Sequence, residues 1–84
     1  MANQLRDQAP VRESAITADQ ALAIVQADAI KAYPDLSPYR IQLSLEPDGW
    51  HVDYELKDPH LKGGSPHYLI DPRTGAILSK RYQQ

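Results

Sequence analysis

The sequence predicts a small α+β domain, one N-terminal helix packed on a curved four-stranded antiparallel meander sheet. Three observations lead there. Residues 18–33 repeat apolar side chains at offsets of three and four, the stripe of a one-sided helix. Residues 39–46 and 50–57 each alternate apolar and polar side chains, with Pro-Asp-Gly between them as hairpin punctuation. Two further apolar runs, HYLID and AILSKRY, flank a Pro-Arg-Thr-Gly turn.

The helix has a written start. Thr17 and Gln20 stand in capping-box spacing, and Ile16 precedes them as half of a hydrophobic staple. The stripe comprises Ala18, Ala21, Leu22, Val25, Ala29, Ala32 and Tyr33, with Ile24 and Ile30 widening it on either side. Pro34 ends it by pushing Tyr33 out of the α region. In the first strand Tyr39, Ile41, Leu43 and Leu45 are expected inward, and in the second Trp50, Val52, Tyr54 and Leu56. Residues 58–66 hold two prolines and two glycines, which reads as a loop and not as a central strand. Beyond it Tyr68 and Ile70 should face the helix, and Ile77 is the expected inward residue of the last strand.

The totals bound the rest. A chain of 84 residues makes one domain, with residues 1–15 a flexible polar tail and 16–84 the folded unit. At that size about 60% of the unfolded surface is buried, too little to enclose a dinucleotide-sized cofactor. The absence of cysteine excludes disulfides, thiolate catalysis and Cys-based zinc sites. A formal charge of −2 with both signs scattered lacks the footprint of nucleic-acid binding. No segment approaches the roughly 20 apolar residues of a membrane helix, so no membrane partner is expected. The expected compartment is the cytoplasm, with the periplasm as the alternative if an N-terminal signal was removed.

Each group that could carry chemistry also has a plain structural role. Asp71-Pro72-Arg73-Thr74-Gly75 invites reading as a phosphate cradle, but a cradle needs several glycines and a following helix. Turn chemistry accounts for every position: Pro72 presets φ, Asp71 or Thr74 braces the backbone, and Gly75 accepts positive φ. His51, Asp53 and Glu55 share one strand face at neighbour spacings of about 6.5–7 Å. Such side chains diverge and have no water-excluding pocket, so cross-strand pairing with Arg40, Gln42 and Ser44 is the simpler expectation. His60 and His67, with His51, match no zinc spacing. Ser65 is expected in the loop, without a nucleophile elbow. No catalytic residue, metal or cofactor is expected, and the domain reads as non-enzymatic.

What remains is a surface. One helix covers one side of the sheet and leaves the other open, displaying Arg40, Gln42, His51, Asp53, Glu55 and Lys57, with Lys62 on the neighbouring loop. These are the expected partner-binding residues. The Gly63-Gly64 loop is either part of that docking surface or a plain crossover. A sheet edge also offers pairing for a weak homodimer.

The segments ITADQALAIV, GWHVDYEL and GGSPHYLIDPRTGAIL together resemble the cystatin-like or nuclear-transport-factor-like immunity proteins of bacterial polymorphic toxin systems. The residues carrying the resemblance are Trp50, Val52, Gly63, Gly64, Tyr68, Ile70, Asp71, Thr74, Gly75 and Ile77. The pattern is also similar to PepSY domains, which share Ile-Asp-x-x-Thr-Gly-x-Ile after an Ala-rich helix. The first resemblance implies a protein that neutralises a toxin by occlusion. The second implies a module that inhibits or regulates a peptidase. Neither brings catalytic residues.

Overall fold

The computed structural model describes residues 14–61 and 63–83. Its elements are α1 (Ala18–Ala32), β1 (Tyr39–Glu46), β2 (Gly49–Leu56), β3 (Ser65–Ile70) and β4 (Ile77–Gln83). The strands pair antiparallel in the order β1-β2-β3-β4, an open meander with the helix on one side. The expected fold class is the observed one.

The start of α1 is held as its sequence dictates. Thr17 Oγ1 accepts from the Gln20 backbone N–H at 3.0 Å, and Gln20 Oε1 accepts from the Thr17 N–H at 2.8 Å. This reciprocal cap satisfies two donors that a helix start otherwise leaves orphaned. At the other end the Tyr33 N–H reaches the Ala29 carbonyl at 2.8 Å, and Tyr33 itself has left helical geometry, with φ −128° ahead of Pro34. Ala21, Val25 and Ala29 are fully buried. Their small size lets the helix axis approach the two central strands, β2 and β3.

Against them stand Val52, Tyr54, Tyr68 and Ile70, all buried, closing the core. Burying each of the larger aliphatic members contributes about 1.5–3 kcal/mol. The apolar stripe widens on one flank only. Ile24 is half-buried, whereas Ile30 remains 51% exposed. Five residues beyond Val25 places Ile30 about 140° around the helix from the buried line, so it points away from the sheet.

The β1–β2 hairpin pairs Tyr39 with Leu56 through to Glu46 with Gly49, leaving Pro47 and Asp48 as its two-residue turn. Gly49 has φ +135°, and a Cβ there would lie 2.5 Å from the Ile70 carbonyl oxygen. Both facts require glycine.

Two expectations need correction and a third is met only in part. Ser65 and Pro66 belong to β3 and not to the loop. A proline is tolerated because the β2 ladder stops at Asp53↔His67, so at Pro66 the strand is paired only with β4. Ile77, opposite Ile70, shares the helix side as expected, but it stays 36% exposed and does not join the core. A register irregularity between Leu69 and Ile70 interrupts the alternation just where Ile77 begins β4. Finally, Ser14 and Ala15, expected in the tail, are tied into the fold. The Pro72 carbonyl accepts from Ser14 Oγ and from the N–H groups of Ala15 and Ile16, and Trp50 Nε1 donates to Ser14 Oγ at 2.9 Å. Residues 1–13 lie outside the described residues.

The 71–75 segment is a turn with every donor placed. Asp71 Oδ1 accepts from the N–H groups of Arg73 and Thr74, Thr74 Oγ1 accepts from the Ala76 N–H, and the Gly75 N–H donates to the Asp71 carbonyl. The backbone hydrogen bond from Arg73 is the main reason the Asp71 carboxyl sits below the usual carboxylate range. Gly75 has φ +80° and is packed so closely under the helix that a Cβ would come within 2.9 Å of Ile24 Cδ1.

Candidate partner-binding face

Alternation in β1 and β2 sends their polar residues to the side away from α1, and the register sets them opposite one another. Arg40 faces Glu55, Gln42 faces Asp53, and Ser44 faces His51. Arg40 Nε lies 3.5 Å from Glu55 Oε1, an exposed contact worth less than about 1 kcal/mol. Of the expected partner-binding residues, Arg40, Gln42, His51, Asp53 and Glu55 share this surface. Lys57 stands just past the end of β2, exposed, its N–H bonded to the Pro38 carbonyl. Lys62 lies outside the described residues.

The face extends further than the sequence indicated. His67 sits on β3 opposite Asp53, and His67 Nδ1 is 2.8 Å from Asp53 Oδ1. A carboxylate only accepts, so Nδ1 donates to Asp53, and Nε2 lies 3.1 Å from Ser65 Oγ. Ser65, His67 and Asp53 thus form a hydrogen-bonded chain at the place where the β2 and β3 ladders part. Its connectivity is that of nucleophile, base and orienting acid. A working acyl-transfer site also needs donors preorganised for an oxyanion. Here the chain runs along a strand face, and its geometric role is to pin β3 to β2 at their last backbone pair. The signal available in the sequence was alternation: with Tyr68 and Ile70 inward, His67 had to point outward.

His51 is held from below by the hairpin turn. Its Nε2 lies 2.6 Å from Asp48 Oδ1, and this contact is the main reason the Asp48 carboxyl is lowered. Two adjoining depressions result. One, about 520 Å³, is bordered by Ser44, Glu46, Asp48, His51 and Asp53. The other, about 220 Å³, lies between His51, Asp53, His67, Leu69, Ser79 and Arg81. His60, by contrast, only caps its own loop, with a side chain 94% exposed beside Asp58. Among the described residues no group of three or more His, Cys, Asp or Glu is placed to hold a metal ion. Among them, too, no helix is long and apolar enough to cross a membrane.

The helix side carries one polar cluster of its own. Asp28 accepts from the Tyr68 hydroxyl at 2.8 Å and from Lys80 Nζ at 3.0 Å. Lys80 chiefly, and Tyr68 after it, hold the Asp28 carboxyl below its usual range, while burial and then Asp28 push the Tyr68 phenol up. This cluster joins helix to sheet and leaves the open face to Arg40, Gln42, His51, Asp53, Glu55 and His67.

No family model, curated protein or solved structure matches this chain.

Proposed function

We propose that this chain is a non-enzymatic protein-binding domain of bacterial immunity type, which neutralises a toxin in the cytoplasm by covering it with the open face of the sheet. The observation that carries the reading is the asymmetry of the two sheet faces. One is buried under α1, while the other holds polar side chains fixed by contacts at Asp48–His51 and Asp53–His67. Side chains ordered before binding lose little entropy on docking, and complementary charge gives specificity and fast association. The resemblance of the 16–84 segment to toxin-system immunity proteins supplies the partner class.

The test is a growth assay with the product of a neighbouring gene that is toxic when expressed alone, together with titration calorimetry of the purified pair. The wild-type chain should protect cells and bind. The double reversal Asp53→Lys and Glu55→Lys should abolish both while the circular-dichroism spectrum is kept. Protection that survives the reversal would place the interface elsewhere, and a wild-type chain that neither binds nor protects would overturn the reading.

A further inference from the structure

The two outer strands differ in how they guard their free edges. Edge strands usually carry inward charge, proline or a bulge that discourages pairing with another chain. β4 has such guards, an irregular start and Lys80 on the helix side. β1 has none: it is eight residues long, regular, and free of proline and glycine, and its helix-side residues Tyr39, Ile41, Leu43 and Leu45 are uncharged. Because α1 lies over β2 and β3, that apolar row is only half-buried, whereas Val52, Tyr54, Tyr68 and Ile70 are buried. Among the described residues no strand pairs along the outer side of β1.

We propose that two copies of this chain associate through β1, antiparallel about a two-fold axis that passes through Leu43. Residues facing each other across an antiparallel pair lie on the same side of the sheet, so a two-fold axis must fall on a residue and not between two. Centring it on Leu43 sets Ile41 against Leu45 of the other copy on the helix side. On the open side it sets Gln42 against Ser44 and, at both ends, Arg40 against Glu46. Centring it on Gln42 would put Arg40 opposite Ser44 and leave Glu46 unmatched. Opposite charges facing across strands stabilise a pair, and this selects Leu43.

Backbone geometry permits the choice, as it permits any axis that falls on a residue. The two-residue hairpin closes on the pair Glu46↔Gly49, so Glu46, Ser44, Gln42 and Arg40 direct their backbone groups to β2. Ile41, Leu43 and Leu45 direct theirs outward, and these are the residues that meet in this register, giving about six backbone hydrogen bonds. Arg40 has room to serve both partners. Its contact to Glu55 is long, 3.5 Å, and its side chain is 63% exposed. The product is one continuous sheet of twice the width, with both helices on one side and both polar faces open. The dimer therefore does not depend on the function proposed above, and the two can fail separately.

The chain has no cysteine, which makes the test direct. Leu43→Cys places a thiol on the axis, at a separation that a disulfide spans. Ser79→Cys on β4 serves as the control. Mild oxidation should yield a disulfide dimer from the first and not from the second. Sedimentation velocity of the wild type should show a concentration-dependent monomer–dimer equilibrium. Glu46→Arg should weaken it by about tenfold, and the swap Arg40→Glu with Glu46→Arg should restore it. Helical circular dichroism confirms that each variant is folded. A wild type that stays monomeric at every concentration, cross-linking at residue 79 in preference to 43, or an unchanged dissociation constant for Glu46→Arg would each overturn the proposal.

Discussion

β1 and β4 both end the sheet, yet they are attached to the molecule by different physics. β4 is clamped to the helix by polar contacts, Lys80 reaching Asp28 while Tyr68 from the neighbouring strand shares the same carboxylate. β1 is held by apolar and aromatic packing. The Tyr39 ring meets Tyr33 and Tyr54 edge-on at 5.8 and 6.1 Å, and its hydroxyl donates to the Gly64 carbonyl at 2.7 Å. Tyr33 also meets Tyr82 of β4 at 5.6 Å, so the C-terminal end of α1 touches both edges. The contrast teaches that a directional polar clamp fixes where a helix lies across a sheet. Packing alone fills whatever room is left. On the β1 side that leaves an apolar row half in water.

The largest effect that would sharpen this contrast separates the centre of the sheet from its edge. Ile70→Ala in the fully buried centre should cost about 2–5 kcal/mol in urea unfolding, and Leu43→Ala on β1 less than half as much. Equal losses would mean that the β1 row is as well covered as the core.

Next comes the clamp. Asp28→Ala leaves the buried Tyr68 hydroxyl without its acceptor and should cost about 1–3 kcal/mol in the same measurement. The clamp should also mark the pH profile. The folded Asp28 carboxyl lies below its unfolded value, chiefly through Lys80, so its contribution is present above about pH 4 and disappears as pH falls through the folded pKa. Tyr68, raised by burial, and Lys80, raised by Asp28, contribute stability that is complete below about pH 10 and declines as pH rises through their folded values. Asp28→Asn should flatten the acid limb of a thermal-melt series, and an unchanged limb would remove the clamp from the account.

The smallest effect is expected at Tyr54, between the clamp and the β1 row. Its ring is buried, but its hydroxyl has no hydrogen-bond partner among the described residues. Tyr54→Phe should leave stability within about 0.5 kcal/mol or raise it, since the change removes a desolvated group and keeps the ring. A loss above 1 kcal/mol would mean that a bound water serves the hydroxyl.

Much of this architecture was legible in the residues. The cap at Thr17 and Gln20, the alternation from Tyr39 to Leu56 and the bracing of the 71–75 turn depend on neighbours in the chain, and they appear as local chemistry predicts. The candidate face was legible only on β1 and β2. His67 opens the HYLID run and reads there only as a candidate zinc ligand, whereas Ser65 was missed because Pro66 and the glycines read as a loop. That reading assumes pairing on both sides of a strand, and at Pro66 only β4 pairs. Ile77 stays partly exposed for a related reason, since the irregularity beside it depends on how two strands are matched and not on either strand alone.

The sequence by itself determined the helix, the first hairpin and which side of that hairpin is greasy. Period and turn chemistry act within a few residues and need no distant partner. Only the tertiary structure decided that Asp28, Tyr68 and Lys80 converge, that Asp53 meets His67, and that α1 covers the middle of the sheet and leaves β1 half bare. Those outcomes depend on register and on where a helix comes to rest. Both are set by contacts between residues far apart in the chain, whose geometry no local pattern encodes.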